Sequence, residues 1–184
     1  MTHLNALAEL LATHNWAKAE QLLKRTIAKK HASPDIFYNL GKVLEAAGKY
    51  AQSGRWFEKA TAAKPDYAMA WFELGRWQLN HHQLRSALTS FKQASALEPA
   101  DKDARRNVAR LALRLGEWEN ALAASAGFDD VEALQARYRI AVETNQDART
   151  LLAELLKNKE ARPLVLKMMT RTAKGCIPLR INAP

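Results

Sequence analysis

Arg106, Arg110 and Arg114 stand four residues apart, so on a helix their guanidinium groups stack into a stripe along one face. Guanidinium is a planar, permanently charged fork that pairs bidentately with carboxylates or phosphates. The stripe is therefore a candidate for recognising an anionic partner; the alternative is a solvated helix face helped by Asp103, Glu117 and Glu119. A second row recurs at a constant period of 34: Asn5, Asn39 and Asn107, with Glu73 in the remaining place. A side-chain amide both donates and accepts, so such a row can hydrogen-bond an extended peptide backbone.

Other reactive groups argue against catalysis. His81 and His82 are adjacent, a geometry that seldom lets two imidazoles converge on one ion, and they are read as turn residues. Cys176 has no His near it in the sequence and is read as a bystander. There is no Gly-rich phosphate loop, no His-Glu-x-x-His and no Gly-x-Ser-x-Gly. The expectation is a non-enzyme that uses no cofactor and no metal. From Lys157 onward, Lys157, Lys159, Arg162, Lys167, Arg171, Lys174 and Arg180 face only Glu160 in opposition, with Leu155, Leu164 and Met168 on the other side of a helix. That stretch is either a basic amphipathic contact for an acidic partner, RNA or a membrane surface, or a solvated end.

The elements that position these groups are helices. Of 184 residues, 48% are hydrophobic, and Gly and Pro number only 7 and 6, a composition that favours an ordered helical protein. No run approaches the ~18 consecutive apolar residues of a membrane span, and the opening Met1-Thr2-His3-Leu4-Asn5 does not resemble a secretory signal. A single Cys cannot form an internal disulfide. These features point to the cytoplasm. The excess of 28 Lys+Arg over 19 Asp+Glu, a formal +9, suits acidic peptides, nucleic acid and anionic surfaces alike.

The period of 34 extends well beyond the Asn row. Phe57 and Phe91, Ala60 and Ala94, Pro65 and Pro99, Leu40 and Leu74, and Gly41 and Gly75 all share it. So do Trp16, Tyr50, Leu84 and Trp118, and beside them Ala19, Ser53, Ala87 and Ala121. Such a comb marks stacked copies of one supersecondary unit. In the clearest copy, Ser33 and Pro34 open a helix to Ala47 whose apolar residues Phe37, Leu40, Val43 and Leu44 follow helical spacing. Gly48 ends it through a positive φ, and a second helix runs from Tyr50 to Ala63 before Pro65. The next copy predicts helices over 67–80 and 84–97, the one after it a helix from Asp101 turning at Gly116 into a short helix from Trp118. A weaker opening copy covers 4–13 and 16–29, and helices over 130–143, 147–158 and 162–172 follow without the comb.

Trp71, Leu74, Gly75, Ala87, Phe91, Ala94 and Pro99 together resemble the tetratricopeptide repeat, and Phe37, Leu40, Gly41, Phe57, Ala60 and Pro65 do so with Ser53 in place of the usual Ala. The resemblance implies an all-α fold: an α-solenoid of antiparallel helix pairs over 1–128 (units about 1–33, 34–67, 68–101 and 102–128), a non-repeat helical cap over 129–173, and an extended tail over 174–184. It also implies that the first helix of each pair lines a concave wall. By offset that wall carries Tyr38, Asn39, Lys42 and Glu45, then Phe72, Glu73, Arg76 and Asn80, then Arg106, Asn107, Arg110 and Arg114. Asn is common at its place in the repeat, so the Asn row is either generic or a peptide contact. The five Trp are read as repeat core, with Trp77 the one whose offset leaves a ligand role open. The chaperone-binding subgroup of the family grips a C-terminal carboxylate with Lys and Asn; Tyr38, Asp103 and Glu73 occupy the places that clamp needs, which disfavours that partner.

The reading is thus an adaptor that holds an acidic or polar peptide of another protein. Tyr38 and Phe72 would pack its side chains, Asn39 and Asn107 would hold its backbone, and Lys42, Arg76 and the arginine stripe would pair its charges. Nucleic-acid or anionic-surface binding through the basic end, and service as the interaction arm of a larger enzyme, are the alternatives. Incomplete terminal repeats also leave self-association open.

Overall fold

The computed structural model describes residues 3–29, 32–159, 162–163 and 165–167. Among them, regular structure consists of ten helices and no strand: α1 His3–Ala12, α2 Trp16–Ala28, α3 Pro34–Ala46, α4 Tyr50–Ala63, α5 Ala68–Asn80, α6 Leu84–Leu97, α7 Lys102–Leu115, α8 Trp118–Ser125, α9 Val131–Glu143 and α10 Arg149–Lys157. The all-α expectation holds, and the ends of these ten helices fall within about two residues of the predicted ones. Of the helix expected over 162–172, residues 162–163 and 165–167 are helical; its remaining residues, and the tail with Cys176, lie outside the described residues.

The turns explain the period. His14, Gly48, His82 and Gly116, one full period from each to the next, have φ of 53°, 75°, 59° and 76°. Behind each, the following amide reaches back to close the helix: Asn15 to the Leu10 carbonyl at 2.9 Å, Lys49 to Leu44 at 2.8 Å, Gln83 to Gln78 at 2.9 Å and Glu117 to Ala112 at 2.9 Å. This is the Schellman closure, in which a left-handed residue satisfies carbonyls the helix end would otherwise leave unpaired. The two glycines were expected there. Histidines fill the other two places, which gives His82 a backbone role.

Helix starts are less uniform. Asn15 caps α2 by accepting from the Lys18 amide at 3.3 Å, and Asp130 caps α9 by accepting from Ala133 at 3.0 Å. Ser33 occupies the extended cap position before Pro34, yet its hydroxyl makes no capping bond.

The chain divides into two compact units, Met1–Leu111 and Ala112–Pro184. In the first, consecutive helices α1 to α6 pack on one another in order. Leu7, Ala19, Leu23, Leu40, Val43, Leu44 and Trp56 form one buried cluster, and Ala60, Tyr67 and Ala70 form another. Close approach within the α3–α4 and α5–α6 pairs rests on glycine: a Cβ on Gly41 would lie 2.5 Å from the Phe57 ring, and one on Gly75 would lie 3.1 Å from Phe91. Ser53 replaces the small Ala of the comb without penalty because its buried hydroxyl donates to the Tyr50 carbonyl at 2.8 Å. Glu20, also buried, ties α2 to the turn before α4, accepting from Lys24 at 2.6 Å and from Lys49 at 2.8 Å.

In the second unit α8 packs on α9 and α9 on α10, around buried Tyr138, Leu155 and Val165. The division falls within α7, whereas the repeat register persists to the turn at Gly116.

The turn geometry predicts that His82→Gly raises stability by about 0.5–1 kcal/mol, since glycine escapes the side-chain cost of the left-handed region. Gly41→Ala should lower it by about 1–3 kcal/mol, because the Phe57 ring must move. Urea unfolding of both variants checks the pair, and a neutral Gly41→Ala would show that the helices can part there at no cost.

Candidate functional site

The predicted wall residues of the first unit lie on three first helices: Tyr38, Asn39 and Lys42 on α3, Phe72, Glu73 and Arg76 on α5, and Arg106, Asn107 and Arg110 on α7. Arg114, although on α7, falls beyond Leu111 and belongs to the second unit.

The two aromatics hold equivalent places. Tyr38 and Phe72 are both half-buried; the Tyr38 ring lies 6.1 Å from Phe57, and Phe72 meets Phe91 edge-on at 5.4 Å. Each therefore leans on the core phenylalanine of its own helix pair and leaves part of its ring outward. Tyr38 also sits 5.3 Å from the ring of Tyr67. Burial and the nearby Glu73 carboxylate push the Tyr38 phenol above its ordinary range. Burial of Tyr67, seconded by the nearby Asp35 carboxylate, pushes its pKa up to about 12.

The charged residues do not wait for a partner. Lys42 Nζ donates to Glu73 Oε1 at 2.5 Å, and Arg76 Nε donates to Glu73 Oε2 at 2.7 Å. Arg76 Nη2 also pairs with Glu45, and Lys42 approaches the same carboxylate at 3.9 Å. The result is a four-membered cluster of two cations and two anions bridging α3 and α5. Its layering is asymmetric: the side chains of Lys42 and Arg76 are 41% and 38% exposed, those of Glu45 and Glu73 only 10% and 12%. The carboxylates form a floor and the cations a lid. For Arg76, burial works against the charge, but Glu73 and then Glu45 outweigh it and hold the pKa above normal.

The Asn row is used unevenly. Asn39 is half-buried, and among the described residues none supplies a hydrogen bond to its amide. Asn107 donates from Nδ2 to the Asp103 carbonyl at 3.0 Å, a bond within its own helix. Asn5 is exposed. Arg106 is half-buried and Arg110 is exposed, and both already engage neighbours; Arg114 is exposed.

Trp77 is a packing residue. Its ring lies directly over Gly54, where a Cβ would overlap it. Its Nε1 donates to the Tyr50 carbonyl at 2.8 Å, and His81 stacks on it at 4.0 Å. His81 Nδ1 lies 2.8 Å from the Trp77 carbonyl, so both histidines of the pair serve the end of α5. Sequence reasoning placed Glu45 on the wall without a partner and left the reciprocal pairing unseen. Its signal was present: both cross-helix pairs, Lys42–Glu73 and Glu45–Arg76, join residues 31 apart, one repeat less one helical turn.

Helix pairs recurring at a constant period, with a polar, ion-paired face along their first helices, define a helical-repeat protein. The chain belongs to the tetratricopeptide repeat family, whose pattern matches residues 6–68, 38–84 and 72–126. Among curated protein sequences none matches significantly. Among solved structures the fold is similar to that of MamA from Desulfovibrio magneticus RS-1, with a TM-score of 0.64 at 20% identity, covering 94% of this chain and 96% of that one. It is also similar to a tetratricopeptide repeat protein from Parabacteroides merdae, with a TM-score of 0.68 at 16% identity over 94% of this chain and 74% of that one. YrrB, a TPR protein with an unusual peptide-binding site, gives 0.59 at 21% identity over 73% and 72%. No helix among the described residues is long and apolar enough to cross a membrane.

Burial of Tyr67 beside Asp35 carries a pH signature. Because the folded pKa of about 12 exceeds the ordinary 10.0, the chain's full stability is present below pH 10 and is lost as pH rises through the folded value. Tyr67→Phe, with no phenol to ionise, should therefore lose less stability than the parent above pH 10. Denaturant unfolding across the alkaline range tests this, and equal losses in the two proteins would show that folding does not hold the phenol neutral.

Proposed function

We propose that the chain is a non-catalytic adaptor whose first-helix face holds an acidic or polar peptide segment of a partner protein. One observation carries the reading. At a single register, three successive first helices present a hydrogen-bonding side chain (Asn39, Glu73, Asn107) and, three residues on, a cation (Lys42, Arg76, Arg110), all at least partly exposed on α3, α5 and α7 or close beneath that surface. The apolar residues of the same helices, Leu40, Leu44 and Leu74, are sealed in the core. A repeated polar row over a rigid hydrophobic base suits an extended strand of peptide, whose own groups repeat along its length. Asn39 is the residue best placed to hold its backbone, and Tyr38 and Phe72 to pack its side chains. Peptide binding by YrrB, a protein of like fold, and the formal charge of +9 support the same reading. The repeats would occupy 1–128 and the non-repeat helices 129–173, with the protein working in the cytoplasm.

Peptides selected on the immobilised chain from a random display library test the proposal. Asn39→Ala and Arg110→Glu should each weaken a selected peptide by about tenfold, the scale of one or two lost hydrogen bonds, one of them charge-assisted. Binding that falls steeply with salt yet ignores Asn39→Ala would favour nucleic acid at the basic C-terminal stretch instead.

A further inference from the structure

The wall contains its own competitor for acidic ligands. We infer that Glu73, seconded by Glu45, is a specificity-determining residue that occupies from within the positions at which a partner's carboxylates would pair with Lys42 and Arg76. The inference deepens the peptide-binding reading and rests on it.

Glu73 is the odd member of its row, the other places being Asn5, Asn39 and Asn107. A neutral amide there could accept one hydrogen bond and leave the neighbouring cations charged towards solvent. The carboxylate instead takes Lys42 at 2.5 Å on one oxygen and Arg76 at 2.7 Å on the other. Glu45 takes Arg76 from the opposite side. The cluster has no net charge, and the anions are the buried partners.

A ligand carboxylate approaching Lys42 or Arg76 has two choices. It can share a cation whose charge is already balanced, or displace Glu73 and leave a carboxylate buried without a counter-ion, which is strongly unfavourable. An uncharged peptide meets neither difficulty, because the outer N–H groups of the half-exposed cations still donate to carbonyls. The α3–α5 part of the wall therefore selects uncharged, polar peptide. The bound segment would be polar over α3 and α5 rather than acidic throughout.

The test is a gain of binding, measured on the full chain with an N-acetylated decaglutamate peptide. Glu73→Asn, which completes the row, should bind this probe about three- to tenfold more tightly than the parent, the scale of one or two half-exposed ion pairs. Its affinity should also fall more steeply with salt. Lys42→Ala should remove most of the gain in the Glu73→Asn background, since the cation that Glu73 no longer holds is then absent. Glu45→Gln, which frees only Arg76, should show a smaller gain and serves as the second variant should Glu73→Asn melt early. Unchanged affinity and salt dependence in both folded variants would overturn the inference, as would a gain in Glu73→Asn that survives Lys42→Ala. Failure of the wider reading looks different: library-selected peptides would then be indifferent to Asn39→Ala whatever the glutamates do.

Discussion

Everything the first unit does depends on how closely two helices of a pair can approach. At Gly41 and Gly75 the absence of a side chain lets Phe57 and Phe91 lie against helix backbone. Those two phenylalanines are almost wholly buried. Once each ring is seated, the first helix cannot rotate about its axis without withdrawing Leu40 or Leu74 from the core. Its outer residues are then held in a fixed register, and this is what brings Lys42 and Glu45 of α3 against Glu73 and Arg76 of α5. The polar face is a by-product of tight packing beneath it.

The same constraint accounts for the ion-paired cluster. Neighbouring first helices are offset so that a residue of one meets a residue a turn earlier in the next, and the reciprocal pairs Lys42–Glu73 and Glu45–Arg76 follow from that offset. Their contribution to stability is modest, since half-exposed cations gain at most about 1 kcal/mol per pair. In the proposed peptide-binding reading their effect on recognition is larger. A neutral cluster with its anions inside offers hydrogen-bond donors without a field of one sign, so it would discriminate by shape and hydrogen bonding more than by charge. Net charge, read from composition alone, overstates how acidic a ligand this part of the wall should prefer.

Much of this was legible in the amino-acid order because repetition multiplies weak signals. One Gly, one Phe and one Ala at helical spacing say little; the same three at the same offsets twice over specify a helix pair and its inward face. Helix ends were legible for the same reason, with Gly48 and Gly116 marking turns that His14 and His82 adopt without glycine. The pairing of charges was harder to see. Periodicity aligns residues that are alike, whereas a salt bridge joins residues that differ, at a separation set by the offset between helices. Trp77 was obscure on similar grounds. Its seat over Gly54 is not repeated in the first pair, where Glu20 stands at the equivalent place, or in the third, where Leu88 does. A contact made once leaves no period.

That asymmetry bears on where function resides in such an array. Positions that repeat are bound by the common geometry of the turn and the helix pair, and changing one disturbs the platform. Positions that break the row are free of that demand, so their chemistry answers to something other than folding. Glu73 breaks the Asn row and Ser53 breaks the small-residue comb, but the two differ in kind. The Ser53 hydroxyl is consumed locally by its own helix, which is how an interior slot tolerates a polar atom. Glu73 instead commits both its oxygens across two helices to cations that face solvent. A substitution resolved inside one helix adjusts stability. One that rewrites the charge of an outward face adjusts what that face can hold.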